Sequence, residues 1–531
     1  MPFLAQEHMH IPTKDLLSWM FDDQAYGENK PVYIDAADPN RTICSRQAKS
    51  IIRKLAAGFK KAGLKKASIY YSMVFLGIVA AGGVFAGTNP SYTAYELEHA
   101  VRTAKIKMLV VEPELVSNAL AAAKATGIPQ SRIFIFNSRG QPVADGLQSW
   151  EALQQHGEVD WECWDDKVKS ENTSVARLFS SGTTGLPKAL DMSHYNFVAQ
   201  HTLVMEYRPR DYVILRLLSN PMFHVSIVPR AHTSPLRGGY VTYVMRRFEL
   251  EPYLRNIEVY QITEANMVPP MVIQIINSPL STKYSFQSVR FAWVGAAPLD
   301  KEPQARLKAF LRDDTPFNQV WGMSETSCIA TMLYYPEQDP TGSVGQFMPN
   351  LDAKLVDDDG HDITDYGVTG ELCVRGPTVV KGYFDNEEAN RRDWDEDGFF
   401  HTGDVAYRDP ANKLWYIVDR KKDLIKVRGF QVSPAEIEGV LLRHRSIVDA
   451  AVIGVKFGRD GSEYPRAYVV LAKGARMTEK EVARFCNGRL ARYKGLEGGV
   501  RFVEFIPKNA SGKILKKKIR RWAERDLGAK L

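Results

Sequence analysis

Apolar residues recur at three- and four-residue intervals in "DLLSWMF" (15–21) and "AKSIIRKLAAGFKKAGL" (48–64), which predicts amphipathic helices. Between such segments lie short, continuously apolar runs, "MLVVE" (108–112), "RIFIF" (132–136) and "YVILRLL" (212–218), which read as buried strands. This alternation predicts an α/β fold with parallel layers. After about residue 340 the pattern changes to short strands broken by Gly, Pro and Asp, in "AKLVDDDG", "GELCVRG" and "KLWYIVDR", and predicts a β-rich subdomain over about 340–419. From 420 to 531 the pattern is α+β, with "SPAEIEGVLLRH" as a capped helix, strands in "DAAVIGVKF" and "PRAYVVLAK", and a helix in "TEKEVARFCNGRLA". The charged run "DRKKDLIK" (419–426) marks the junction, so a large domain (1–419) and a small one (420–531) are expected.

The uncharged stretch "SIYYSMVFLGIVAAGGVFAG" (68–87) is long enough to span a bilayer, but its glycines, serines and tyrosines dilute it. It is expected to be a buried helix and turn, with no membrane span. Composition agrees with a globular class: 531 residues, 44% hydrophobic, 25% charged. The net charge of +7, from 69 basic and 62 acidic residues, gives no nucleic-acid signature and suits an anionic small ligand equally well. Five scattered cysteines without a CxxC pair argue against a disulfide framework or a zinc site. The terminal "AKL" resembles a peroxisomal address, so a peroxisomal import receptor is an expected partner and the peroxisome, otherwise the cytoplasm, the expected location.

The segment richest in chemistry is "LFSSGTTGLPKALDMSH" (178–194). Its Ser, Thr and Gly residues offer hydroxyls and closely approachable backbone N–H groups, and Lys188 adds positive charge, as a phosphate cradle requires. The Walker A pattern fails, because Gly182 and Gly185 are too close and Lys188 follows proline and precedes alanine. The context is strand, loop, strand, with "VARLF" before, "KALDMS" after, and Ser193 as N-cap of a helix through "HYNFVAQHTLVME". A polar hairpin turn without a ligand would use the same residue types.

"SSGTTGLPK" resembles the signature of the adenylate-forming superfamily, which contains acyl-CoA synthetases, luciferases and peptide-synthetase adenylation domains. "VGAAPL" (294–299), "WGMSETS" (321–327), "YGVTGELCVRGPTVVKGYF" (366–384), "GFFHTGDVAY" (398–407), "DRKKDLIKVRGFQVSPAEIE" (419–438) and "PKNASGKILKK" (507–517) follow the superfamily's order. They look most like the 4-coumarate CoA ligases and related acyl-CoA ligases. The resemblance implies a large N-terminal domain of α/β layered subdomains plus a β-rich subdomain, with a small mobile α+β C-terminal domain hinged near Lys422. It also implies an enzyme that uses ATP, Mg²⁺ and CoA to turn a carboxylic acid into an acyl-AMP and then a thioester.

Residue by residue, the resemblance assigns Ser180, Ser181, Gly182, Thr183, Thr184 and Lys188 to the β and γ phosphates of ATP, and Glu325 to Mg²⁺. Gly295 and Ala296 wall the adenine, Gln319 and Ser324 touch the adenylate, and Asp404 and Arg420 meet the nucleotide, Asp404 through the ribose hydroxyls. Lys426 and Gln431 match groups at the nucleotide, and Arg247, Arg428 and Gly429 match CoA contacts. Lys513 is the adenylating lysine. His224 and Ser226 belong to the acyl pocket of "NPMFHVSIVP" (220–229), with Val320 on its floor. His224 stands where amino-acid-activating relatives carry an aspartate, which with Phe223, Val225, Ile227 and Trp293 favours an aromatic or medium-chain acid. The basic run Lys516, Lys517, Lys518, Arg520 and Arg521 is expected as a solvated face or anion attractant rather than a nuclear signal.

Three departures stand out. Val320 and Ala189 replace glycines, and only "ASIYYSM" (67–73) remains where relatives carry a longer stretch with an interior strand, so neighbouring strand edges are expected to be exposed. A luciferase-like oxygenation, acyl loading onto a separate carrier protein and a nucleotide-binding relic remain alternative outcomes of the same fold.

Overall fold

The apolar runs assemble into a seven-stranded sheet in the order Phe317–Gln319, Phe291–Val294, Glu264–Met267, Leu215–Leu218, Val241–Val244, Pro31–Asp35 and Thr42–Cys44. All neighbours are parallel except the last pair, as expected for strands connected by helices. These relations come from a computed structural model that describes residues 3–62, 71–180, 187–427, 430–456, 463–509 and 512–528. Helices such as Leu250–Val259 and Pro269–Ile276 bury Leu254, Ile257, Met271, Val272 and Ile275 on the same core as Ala292 and Val294.

A second layer holds two separate three-stranded sheets. One joins Phe85–Gly87, Ser174–Ser180 and Lys188–Ser193, and the other Leu109–Val111, Ile133–Ile135 and Gln148–Ser149. The stretch read as a buried helix and turn forms the helix Tyr71–Ala80, all of whose residues are buried, followed by a turn at Ala81 and Gly82 and the strand at Phe85. No helix among the described residues is long and apolar enough to cross a membrane. The part of the shortened stretch within 63–70 lies outside the described residues.

The β-rich region is a five-stranded antiparallel sheet, ordered Asp362–Ile363, Asp352–Val356, Gly370–Arg375, Phe400–Arg408 and Trp415–Arg420. The smaller C-terminal domain follows. It contains the hairpin Ile425–Val427 with Phe430–Val432, a three-stranded sheet (Ile447–Lys456, Glu463–Leu471, Val500–Phe502), and the helices Pro434–Leu442, Glu479–Asn487 and Lys516–Gly528. Its core is its own, built from Ile437, Leu441, Val452, Val469 and Val482.

Lys517, Lys518 and Arg521 of the basic run are exposed, as expected of a solvated face, while Lys516 and Arg520 depart from it. Lys516 is half-buried and ion-paired with Glu438 (3.3 Å), and Arg520 pairs with Asp423 (2.7 Å), because this side of the helix packs on the C-terminal sheet through Ile519 and Ala523.

Candidate functional site

The strands Ser174–Ser180 and Lys188–Ser193 pair antiparallel, with Ser180 opposite Lys188, so both ends of the phosphate-type loop are anchored. Ser193 caps the following helix in a reciprocal capping box with Asn196, whose amide also donates to Pro377 O (2.9 Å). Lys188 is held: its ammonium pairs with Asp393 (3.0 Å) and lies 4.1 Å from the centroid of the Tyr383 ring. Ser181, Gly182, Thr183 and Thr184 lie outside the described residues. Ala189 faces away from the loop into a small buried cluster with Ala86 and Ala104, which accounts for its methyl group.

Gly295 follows the strand Phe291–Val294, and a Cβ there would come within 2.9 Å of Val320 Cγ2. Val320 therefore fills the space over Gly295. Ala296 adopts φ +72°, a left-handed conformation that costs a non-glycine residue free energy and is held here at the turn out of the sheet. Gln319 is buried, and both ends of its amide are engaged with backbone: Leu299 N–H donates to Oε1 and Nε2 donates to Gly342 O, each at 2.9 Å. Its side chain braces the turn between Gly295 and Leu299. Ser324 opens the single 3-10 turn Ser324–Thr326 and is half-buried.

Asp404 and Arg420 are register partners on adjacent strands, with Arg420 Nε 2.9 Å from Asp404 Oδ1. The Trp321 indole N–H donates to Asp404 Oδ2 (2.8 Å), so this nearly buried carboxylate is oriented from two sides. Asp404, against the opposing effect of burial and with help from Glu325, raises the Arg420 pKa and keeps it charged. Glu325 is only 3% exposed, and among the described residues the Tyr383 hydroxyl (3.1 Å) is the one side chain that donates to its carboxylate.

Lys513 arrives from the other domain. Its loop is closed by reciprocal bonds with Asn509, Lys513 N–H to Oδ1 (2.8 Å) and Asn509 N–H to Lys513 O (2.9 Å). Gly512, at φ +82°, presses so closely on the helix Pro269–Ile276 that a Cβ would meet Pro270 Cγ at 2.8 Å. Burial, then the charge of Arg420, pushes the Lys513 ammonium down to about 8. Burial, then Lys513, pushes His224 down to about 4, so the imidazole is neutral, with Nδ1 2.8 Å from Ser226 Oγ. Arg443, just past the helix Pro434–Leu442, binds Asp300 (2.9 and 2.5 Å) and further ties the domains together.

Lys513, His224, Asp404 and Arg420 thus converge, while other predicted residues stand apart. Lys422, in the turn after Arg420, is the exception: burial pushes it down to about 8, and its charge acts on Lys513, as the charges of Arg420 and Asp404 act on Lys422. Lys426 and Gln431 are exposed register partners on the hairpin, with Gln431 3.4 Å from Asp358. Arg247 is exposed and paired with Glu249 (2.5 Å). Arg428 and Gly429, and the terminal Ala529, Lys530 and Leu531, lie outside the described residues. Trp321 and Tyr383 sit inside motifs quoted above without having been singled out, whereas Asp393 belongs to no motif.

The residues brought together are thus Lys513 of the small domain with Asp404, Arg420 and His224 of the large one, and the class of protein follows from its relatives. Residues 21–384 match the model of the AMP-binding enzyme family, and 436–513 that of the AMP-binding enzyme C-terminal domain. The acyl-CoA ligase azaF of Aspergillus niger is 49% identical over 528 residues, covering 97% of this chain and 99% of that protein. The phenylacetyl-CoA ligase epaB of Aspergillus niger is 50% identical over 528 residues, covering 97% and 98%. ATP-bound MatB from Rhodopseudomonas palustris superposes with a TM-score of 0.83 at 25% identity, covering 97% and 99% of the two chains. An anthranilate CoA ligase, AuaEII, shares the fold with a TM-score of 0.85 at 22% identity, covering 98% and 99%. The chain belongs to the AMP-binding enzyme family and is an ATP-dependent, AMP-forming acid–CoA ligase.

Proposed function

We propose that this ligase activates an aromatic or medium-chain carboxylic acid on the surface shared by Lys513, His224, Asp404 and Arg420. A thiol cannot displace oxide from a carboxylate. The acid oxygen therefore attacks the α-phosphorus of ATP, pyrophosphate leaves, and the CoA thiol then displaces AMP from the acyl-AMP. The observation that carries the assignment is the docking of the Lys513 loop on the large domain, where Gly512 packs against Pro270 and the Lys513 charge helps keep His224, nearly three hundred positions away, neutral.

In this reading Lys513 stabilises charge developing between the acid and the α-phosphate, a contribution of about 2.7–4 kcal/mol for one well-placed donor. Asp404, oriented by Trp321 and Arg420, accepts hydrogen bonds from the ribose hydroxyls, and Gly295 and Ala296 pack against adenine. Ser180 to Thr184 and Lys188 close on the departing pyrophosphate. His224 and Ser226 border the acyl pocket, which Val320 shortens, and the phenylacetyl-CoA ligase among the relatives supports an aromatic acid. Glu325 suits a hard divalent cation such as Mg²⁺, since it presents a buried carboxylate with a single side-chain donor among the described residues. Bound there, Mg²⁺ would neutralise phosphate charge.

The hinge near Lys422 would swing the C-terminal domain to bring Arg428, Gly429, Lys426 and Gln431 to the second half reaction, with Arg247 as a CoA contact. The terminal Ala529, Lys530 and Leu531 support peroxisomal import, checked by relocation of a tagged enzyme when they are removed. Release of AMP and pyrophosphate across a panel of aromatic and fatty acids, with CoA present, tests the substrate assignment. Turnover confined to amino acids or to short acids such as acetate contradicts it.

A further inference from the structure

A small cavity in the large domain is lined by residues that include Gln200, Val204, Met205, Arg230, Trp293 and Cys328. Three of these extend segments already assigned to the site. Arg230 lies six residues past His224, Trp293 two before Gly295, and Cys328 three after Glu325. The cavity is thus built on the same segments as the site, one step further along each, and it is not uniformly apolar.

Arg230 is 6% exposed, and its Nε and Nη1 have no hydrogen-bond partner among the described residues. The same is true of Trp293 Nε1 and of both amide atoms of Gln200. Arg230 lies 4.4 Å from the Trp293 ring centroid, which cushions its charge without satisfying its N–H groups. Two further buried arginines stand nearby. Arg216 (2.8 Å) and Arg210 (3.4 Å) share one carboxylate, Glu264, which is 1% exposed. Among the described residues, Arg216 Nη1 and Arg210 Nη2 have no hydrogen-bond partner, and Arg210 Nε meets Glu264 only as that long ion pair. Three guanidinium groups thus face one carboxylate in a buried space, an arrangement short of anionic or oxygen acceptors. Burial, then Arg216, lowers the Arg230 pKa to about 9, which leaves it protonated near neutrality.

From this cluster we infer that the acid carries a second oxygen acceptor at its distal end, optimally a carboxylate, which Arg230 receives with Gln200 and Trp293 beside it. The inference rests on the acyl pocket proposed above and names its substrate class: an aromatic or medium-chain acid with a carboxylate, or failing that an oxo or hydroxyl oxygen, opposite the reacting carboxyl. A plain hydrocarbon end would leave the N–H groups of Arg230 desolvated and unpaired, which is how such a site rejects an analogue lacking the acceptor.

The test measures acid-dependent AMP release with matched pairs, phenylacetate against 4-carboxyphenylacetate and hexanoate against adipate, in the wild type, Arg230→Met and Arg230→Lys. The expected result is a kcat/KM at least about tenfold higher for the oxygen-bearing member of a pair in the wild type. That ratio should fall to near one in Arg230→Met and be partly kept in Arg230→Lys, which retains the cation. Thermal melting of each variant shows whether it has folded, and the pairwise ratio within one variant is independent of how much of it is active. A wild type that turns over the plain acids as well as their partners overturns this inference while leaving the acyl pocket assignment standing. A preference that persists undiminished in Arg230→Met overturns it as well. Turnover of none of the four acids, with acetate or an amino acid accepted instead, overturns the inference together with the substrate reading beneath it.

Discussion

At the scale of single residues, the site depends on groups held in place by unlike partners. Asp404 owes its orientation to Trp321 and Arg420. Trp321→Phe keeps the ring and removes one hydrogen bond to a charged group, an interaction worth about 1.5–3 kcal/mol. The KM for ATP should rise about tenfold or more in that variant, and an unchanged KM would show that the bond does not position Asp404. Lys513, at about 8 in the free enzyme, loses its proton as the pH rises, so kcat/KM for adenylation should decline through that region. His224, at about 4, stays neutral above pH 5, and an inflection near its ordinary value of 6.5 would contradict the burial described for it. Lys188 looked in the sequence like a mobile charge on a loop. Its pinning by Asp393 was not legible there, because 205 residues separate the two and Asp393 lies in no motif.

At the scale of elements, the period of apolar positions was sufficient to place the helices Leu16–Phe21, Ser45–Ala62 and Pro434–Leu442 and the strands on either side of the phosphate-type loop. The N-cap at Ser193 was legible because the capping box is local chemistry, and Ser193→Ala should cost about 1 kcal/mol, seen as a lower melting temperature. Contacts between elements were not legible. The glycine before Lys513 reads as ordinary loop composition, yet Gly512 combines a left-handed φ with a close approach to Pro270. Gly512→Ala should lift the lysine loop from the helix Pro269–Ile276 and slow acid-dependent pyrophosphate exchange while sparing thioester formation from supplied acyl-AMP. Exchange at the wild-type rate would show that this docking is dispensable. The substitutions of glycine by Ala189 and Val320 likewise acquire reasons only in three dimensions, one filling a core beside Ala86 and the other covering Gly295.

At the scale of the whole molecule, the small domain docks on the large one through the lysine loop and through Arg443. Gly512 lies over Pro270 and Arg443 against Asp300, and the Lys513 charge reaches His224. Gln431 adds a long contact to Asp358 of the large domain (3.4 Å), whereas Lys426 is exposed. The order of the sequence motifs made the superfamily and its two-domain plan legible, because each motif carries its own chemistry. The buried arginine cluster carried no such signal, since its members are scattered among apolar runs and gain meaning only when the sheet brings them together. The most direct measurement separates the two half reactions in Lys513→Ala. Acyl-AMP formation, followed by pyrophosphate exchange, should be abolished, while thioester formation from supplied acyl-AMP and CoA should proceed at close to the wild-type rate. Equal loss of both steps would contradict a lysine that serves adenylation alone.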